Sequence, residues 1–186
     1  MGFKWLPALA VVIVLAACSG INVSQDYDPA TTFQGMDSFA WSSPTQSKTG
    51  DPRIDNPLRD TRIREAVARV LTQKGFHPAS DGTPAFLMQY QYVLRRKIDS
   101  GGGSPSIGFG VGSYGRHGGI AVGTSTGNTI SEYDEGSLVL DFLDPQSEEL
   151  LWRGTGTQIY RQYDDPAKDI RDIDALVEKI LAQFPP

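Results

Sequence analysis

Residues 136–153 read GSLVLDFLDPQSEELLWR, and this stretch decides the fold class. Along it, Leu138, Leu140 and Phe142 face one way and alternate with residues that face the other, as in a strand with one buried side. The segment DPQS at residues 144–147 has the composition of a turn, and apolar residues resume soon after it. The stretch therefore predicts a β-hairpin, whose two strands are antiparallel.

Strand patterns extend this hairpin and occur in three other places. We expect the hairpin strands to cover residues 129–143 and 150–161. The longest separate strand is expected at residues 85–98, where apolar and polar residues alternate over most of the segment. Shorter strands are expected at residues 21–27 and 38–42, which gives a sheet of about five strands.

Two other segments have the apolar spacing of amphipathic helices. Asn56 and Pro57 are typical of a helix start, Gly75 is typical of a helix end, and Asp165 with Pro166 marks a second start. The apolar stripes comprise Ile63, Ala66, Val67, Val70 and Leu71 in the first helix, and Ile170, Ile173, Val177, Ile180, Leu181 and Phe184 in the second. Because each stripe needs an apolar partner, we predict an α+β two-layer sandwich, with a mostly antiparallel sheet and two amphipathic helices on one face.

The first helix also has a basic bias. Its cationic residues are Arg59, Arg62, Arg64, Arg69 and Lys74, and they lie mostly off the apolar stripe. This bias indicates either an anionic partner or an ordinary solvated helix face.

Residues 1–17 have the pattern of a bacterial secretory signal. Lys4 provides a basic start, and residues 8–17 form an unbroken apolar run that is too short to span a membrane. Cys18 is the only cysteine, and it follows small residues at the position where a lipoprotein signal is cut and acylated. We therefore predict cleavage between Ala17 and Cys18 and lipidation of Cys18. The alternatives are a secreted protein with a spare cysteine, or an uncleaved anchor.

Lipidation predicts the location of the protein. Several acyl chains, at about 0.8 kcal/mol per buried methylene, make release from a bilayer negligible. Ser19 resembles the sorting signal for the outer membrane, so we expect a lipid-anchored protein there that faces the periplasm. Residues 18–21 are then a lipidated N-terminus with a short tether, and residues 22–186 form a single domain. With Cys18 acylated, no cysteine is left for a disulfide.

Charge excludes one class of partner. The processed chain carries 16 basic and 22 acidic side chains, a net charge of −6, because Lys4 is the only charged residue in the signal. Nucleic-acid binding needs a concentrated basic face, so we expect no nucleic-acid partner. After Cys18 there is no further apolar run of membrane-spanning length.

A glycine-rich insert is expected at residues 100–131, within which 11 of the 20 glycines fall. The motif GVGSYG at residues 110–115 has the spacing of a dinucleotide fingerprint, but no helix pattern follows it, so we reject that function. The insert is either a flexible loop or an extended hairpin that contacts a partner or a lipid surface. Contact residues for the second alternative are Phe109, Val111, Tyr114 and Arg116.

Residues suited to catalysis are scarce. The two histidines, His77 and His117, are far apart in the sequence, and no free cysteine accompanies them, so we expect no catalytic, metal or cofactor site. An acidic patch at Glu132, Asp134 and Glu135 leaves open a hydrolase that acts on peptidoglycan or lipid.

The order of several short motifs resembles a family of uncharacterised bacterial envelope lipoproteins, catalogued as a domain of unknown function. The matching motifs are Asp26-Tyr27-Asp28, Phe39-Ala40-Trp41, Asn56-Pro57-Leu58, Lys74-Gly75-Phe76, Gly136-Ser137-Leu138-Val139-Leu140-Asp141, Leu151-Trp152-Arg153-Gly154 and Phe184-Pro185-Pro186. The family commonly has an acidic residue after the proline that opens the long strand, but here Ala85 follows Pro84. The resemblance implies a periplasm-facing lipoprotein and supplies no reaction.

These observations favour a non-enzymatic accessory or binding module of the cell envelope. Its expected partners are the bilayer, through acylated Cys18, and an envelope protein or polymer. The envelope hydrolase is one alternative, and a structural membrane-coat lipoprotein is the other.

Overall fold

The structure is a computed structural model, and it describes residues 20–46, 48–80, 82–100 and 130–186. Over these ranges the chain forms β1 (Asn22–Tyr27), β2 (Ser38–Trp41), α1 (Pro57–Gln73), β3 (His77–Pro78), β4 (Phe86–Ser100), β5 (Ile130–Leu143), β6 (Leu150–Ile159) and α2 (Pro166–Leu181). The predicted signal and most of the glycine-rich insert lie outside the described residues. No helix in the part of the chain that is described is long and apolar enough to cross a membrane.

The strands form one mixed sheet of six, in the order β1-β6-β5-β4-β2-β3. The pairs β1–β6, β6–β5 and β5–β4 are antiparallel, whereas β2 runs parallel to both β4 and β3. The α+β class is thus confirmed, and the sheet has one strand more than the expected five. β3 escaped prediction because two residues are too few to show a periodic pattern. β2 is parallel to β4 because α1 lies between them in the chain and supplies the crossover.

The hairpin forms where the sequence predicts it. Phe142 pairs with Trp152 across β5 and β6, with an irregularity in the register directly after Phe142. In the turn, the side chain of Asp144 accepts hydrogen bonds from the backbone N–H groups of Gln146 and Ser147. This carboxylate therefore holds the turn that joins the two strands.

The core lies between one face of the sheet and the two helices. From β4, β5 and β6, every second side chain is buried against them: Phe86, Met88, Tyr90, Tyr92, Leu138, Leu140, Phe142 and Trp152. The predicted stripe of α1 is buried throughout, whereas Ile170 of α2 is 40 % exposed and lies outside the core. Leu176, which the predicted stripe omitted, is buried in its place. The side chains of all eight residues lie on the same face of the sheet, so the helices cover that face only.

The helix ends agree with the capping residues. Asn56 accepts a hydrogen bond from the N–H of Leu58, and Asp165 accepts one from the N–H of Ala167. Gly75 has a φ of +94°, the left-handed conformation that favours glycine after a helix. These local contacts fix where each helix starts and where α1 ends.

The C-terminus departs from the prediction. α2 ends at Leu181, so Phe184 is not part of its helical stripe. Phe184 lies beyond the helix, 1 % exposed, with its ring 4.7 Å from that of Phe142 and 5.1 Å from that of Trp152. The residues after the helix therefore complete the core.

Of the two strands that flank the insert, β4 continues two residues further than expected, whereas β5 begins at Ile130, one residue later than expected. Ser100 of β4 pairs with Ile130 of β5, so only residues 101–129 separate the paired segments.

At the other edge of the sheet, all six residues of β1 are exposed. β1 is an edge strand that no helix fully covers.

Gly154 of β6 gives a first testable prediction. A Cβ at this position would overlap the ring of Trp152 and lie 2.5 Å from Cγ2 of Ile180 on α2. We expect Gly154→Ala to lower the free energy of unfolding by about 1–3 kcal/mol, because a packed core must shift to accept it. Denaturant unfolding measures this loss. The matched control is Gly20→Ala, where nothing lies within 4 Å, and an equal loss there would contradict the packing argument.

Candidate functional site

Four element termini lie together at one end of the domain, which we call the cleft end: the start of β1, the end of β6 and the N-termini of both helices. The start of β1 pairs with the end of β6 (Asn22 with Thr157), where Ile159 pairs with Glu135, inside β5. The ion pair between Arg59 and Asp169 brings the N-termini of α1 and α2 to the same end. The two helices run parallel, because Arg69, further along α1, pairs with Asp174 of α2.

A cleft of about 240 Å³ opens at this end. Its lining includes four arginines, one carboxylate and two tyrosines: Arg53, Arg59, Arg62, Arg161, Asp169, Tyr160 and Tyr163. We call it the arginine cleft. A cavity needs only about 10–15 Å³ of this volume to hold one water, so the cleft has room for a ligand group as well as solvent.

Arg59 is buried, although one interpretation of the sequence placed it on a solvated face of the helix. Its side chain is 9 % exposed, and its Nη1 donates to Oδ1 of Asp169 at 2.9 Å. The guanidinium lies 4.6 Å from the ring centre of Tyr92 and 5.4 Å from that of Tyr160, within cation–π range. Its Nε has no hydrogen-bond partner among the described residues. Arg59 precedes Ile63 by four positions, so it continues the apolar stripe by one turn and enters the core interface.

Asp169 joins the two helices at the cleft. Its other oxygen, Oδ2, accepts a hydrogen bond from Nη1 of Arg62 at 2.6 Å. One carboxylate of α2 is thus shared by two guanidinium groups of α1. The group has a net positive charge, and Arg62 keeps 22 % of its side chain exposed toward the solvent.

The two remaining arginines differ in their partners. Arg53 pairs with Asp51 at 2.7 Å and with Asp134 at 2.6 Å, and these bonds, first that to Asp51, raise the pKa of the Arg53 guanidinium. Arg161 is exposed and takes part in no ion pair within the described ranges. Arg161 is therefore the cleft arginine with the most freedom to meet a ligand.

Two tyrosines complete the surroundings. The hydroxyl of Tyr92 is buried under the cleft and has no hydrogen-bond partner in the described part of the chain. It lies next to the space left open by Gly136, and burial raises the pKa of this phenol. Tyr163 donates its hydroxyl proton to Asp172 at 2.7 Å, and this bond is the main cause of the raised pKa of Tyr163. Both phenols stay neutral at physiological pH, so the charge of the cleft comes from its arginines and aspartate.

The N-termini of both helices also face the cleft, since Asn56 and Pro166 line it. The helix dipole favours anions at such positions, whereas the first backbone N–H groups already donate to the capping residues Asn56 and Asp165. Arginine, with its planar fork of donors, is the side chain best suited to oxyanions such as phosphate. The chemistry of the cleft is therefore that of anion binding.

Comparison with known proteins identifies the family. The profile of "Domain of unknown function (DUF4136)" matches residues 23–186. The chain belongs to the DUF4136 family. No curated protein sequence is significantly similar to this DUF4136 chain.

Three solved structures are similar to this chain at low sequence identity. A PDZ domain protein from Parabacteroides distasonis is 14 % identical with a TM-score of 0.50, over 89 % of this chain and 36 % of that one. The DUF4136 chain thus spans about a third of the length of that protein. A PelC dodecamer from Paraburkholderia phytofirmans and a variant of it give TM-scores of 0.42 and 0.46, at 13 % and 14 % identity, each over 87 % of this chain and 95 % of theirs.

The acidic patch of the DUF4136 domain is engaged in ion pairs. Asp134 binds Arg53, Glu135 lies 3.4 Å from Nζ of Lys97, and Glu132 lies 4.0 Å from Arg96. Glycoside hydrolysis uses two carboxylates that flank the scissile bond. Here each of the three carboxylates faces its own cation, which is the usual arrangement of a strand surface.

The other predicted residues fall into two groups. His77 is exposed on β3, where its backbone N–H donates to the carbonyl of Asp37. No cluster of three or more His, Cys, Asp or Glu residues that could hold a metal ion occurs in the described part of the DUF4136 domain. The residues outside the described ranges are Ala17, Cys18, Phe109, Val111, Tyr114, Arg116 and His117. The structure thus leaves the predicted signal and the insert contacts as predictions.

A second polar cavity lies on the opposite face of the DUF4136 sheet. Asp141 of β5 is 7 % exposed and accepts hydrogen bonds from Arg153 of β6 at 2.6 and 2.8 Å. These two hydrogen bonds raise the pKa of the Arg153 guanidinium. Both oxygens of Asp141 accept hydrogen bonds from Arg153, so the pair links two strands. It therefore has fewer free hydrogen-bonding groups for a ligand than the arginine cleft has.

Proposed function

We propose that this DUF4136 protein is a lipid-anchored, non-enzymatic binding module of the bacterial cell envelope. Its acylated Cys18 holds it on the outer membrane, facing the periplasm. The proposal combines the signal pattern of residues 1–17 with the position of the first described residues.

The observation that carries it is the place where the domain begins. Gly20 and Ile21 line a small cavity together with Ile159 and Arg161, so the N-terminus lies at the cleft end. Cys18 is two residues before Gly20, and two residues span at most about 7 Å. An acylated Cys18 therefore places the cleft end next to the bilayer.

The character of the cleft supports binding rather than turnover. Four arginines provide donors for an anion, and the dipoles of two helix N-termini favour its negative charge. Among the described residues, the lining includes neither a histidine nor a cysteine, which a nucleophile activated by a base most often uses. A module that recognises an anionic envelope component fits this set of side chains best.

Acylation is the property to test. Cells that express the wild-type protein with an alkyne analogue of palmitate should yield labelled protein, and Cys18→Ala should abolish the label, because this chain has no other cysteine. The intact mass of the wild-type protein should show that the chain begins at Cys18. Ser19→Ala is the matched control and should keep the label. An unlabelled wild-type protein, or label that persists in Cys18→Ala, would overturn the proposed function.

A further inference from the structure

We propose that the arginine cleft binds the phosphate of an anionic phospholipid headgroup in the membrane that carries the anchor. This inference rests on the proposed function, because it takes the cleft end to lie against a bilayer. The charge of the cleft, a buried donor without a partner and the surrounding apolar side chains support it.

The charges that face the cleft leave a positive excess. Asp51 and Asp134 pair with Arg53, and Asp169 is shared between two guanidinium groups. Arg161 adds a further cation, without an ion pair in the described chain. The protein as a whole has a net charge of −5, so a negatively charged bilayer repels most of the protein surface and attracts only a few parts of it. The arginine cleft is one such place.

Arg59 is the buried donor without a partner. Its side chain is nine-tenths buried, it lines the cleft, and its Nε makes no hydrogen bond within the described residues. Burial of a donor that lacks an acceptor is unfavourable, so an oxygen that reaches it is favoured. With Asp169 holding Nη1, Arg59 is fixed in place before a ligand arrives, which lowers the entropy cost of binding.

Apolar side chains around the cleft favour a lipid over free phosphate. In the described part of the chain, four of the seven large exposed apolar residues lie at or near the cleft end: Leu58 in the first turn of α1, Ile98 near the end of β4, Ile159 at the end of β6 and Ile170 in α2. Leu58 is 63 % exposed and Ile98 is 65 % exposed. Apolar residues beside cations are typical of surfaces that enter the headgroup region. A soluble phosphate would give them no role.

The test measures lipid binding by the full mature protein in detergent micelles, with native mass spectrometry. The probes are phosphatidylglycerol and phosphatidylcholine with identical acyl chains, and inorganic phosphate is tested separately by its effect on thermal unfolding. We expect the Kd for phosphatidylglycerol to be at least about tenfold below that for phosphatidylcholine, as charge-assisted hydrogen bonds predict. Equal Kd values for the two lipids would overturn the proposal.

Variants assign the binding to the cleft. Arg62→Gln with Arg161→Gln should raise the Kd for phosphatidylglycerol about tenfold or more. Arg69→Gln with Lys179→Gln removes two cations from the helices outside the cleft lining, and should change this Kd by less than about twofold. An equal effect of the two pairs would mean a general charge effect and would overturn the site.

Two further readouts keep the outcomes separate. If thermal unfolding shows that the double cleft variant is not folded, Arg161→Gln is tested alone, since this exposed residue forms no ion pair in the described ranges. Stabilisation by inorganic phosphate without a preference for phosphatidylglycerol would overturn the lipid assignment. A wild-type protein without the label would refute the proposed function but not this binding, whereas a labelled wild-type protein that does not discriminate between the lipids refutes this inference alone.

Discussion

Replacing Phe184 with alanine is expected to lower the free energy of unfolding by about 3–5 kcal/mol, the usual cost of truncating a buried phenylalanine. The ring is 1 % exposed, and five aromatic rings surround it with centroids 4.7 to 5.8 Å away. These rings come from the segment between β1 and β2, from the segment between α1 and β3, and from strands β4, β5 and β6. Truncation of Phe184 therefore leaves a cavity lined by aromatic rings from both layers.

Denaturant unfolding of the wild-type protein and the variant measures this loss through the transition midpoint. Ile170→Ala is the matched control, because Ile170 is 40 % exposed although the sequence placed it in the same stripe. We expect the control to stay within about 0.5 kcal/mol of wild type. Similar losses for the two variants would show that Phe184 does not belong to the core.

Replacing Asp169 with asparagine is expected to cost about 3 kcal/mol, near the lower end for removing one partner of a buried ion pair. The variant leaves the charge of Arg59 buried and without its carboxylate, while Arg62 can still turn toward solvent. It also removes a negative charge near the N-terminus of α2, where the helix dipole favours one.

A second substitution identifies the cause. In the Asp169→Asn background, Arg59→Met should recover much of the lost stability, because it removes the unpaired charge and keeps an apolar stem of similar length. Asp174→Asn is the control, since its partner Arg69 is 41 % exposed and such pairs contribute about 1 kcal/mol or less. Failure of Arg59→Met to recover stability would mean that the ion pair is not what Asp169 provides.

The arginine cleft shows where prediction from sequence stopped. The basic bias of α1 was visible, but the prediction that its arginines lie mostly off the apolar stripe was wrong for Arg59, which is buried four positions before Ile63. Its partner Asp169 follows 110 residues later, and nothing in the local pattern of either helix indicates that the two helices run parallel and side by side. A bias toward one charge suggests an anionic partner, but only the assembled helices show which cations converge.

The sequence by itself determined the elements that depend on neighbours in the chain. Asn56, Asp165 and Gly75 set helix ends through bonds to adjacent backbone, and the alternation in β5 and β6 set the buried face of the hairpin. Only the tertiary structure decided the parallel pairing of β2 with β4, the insertion of Phe184 into the core and the burial of Arg59. The physical reason is distance along the chain: capping and periodicity act over a few residues, whereas these three features arise from packing between segments that the sequence keeps far apart.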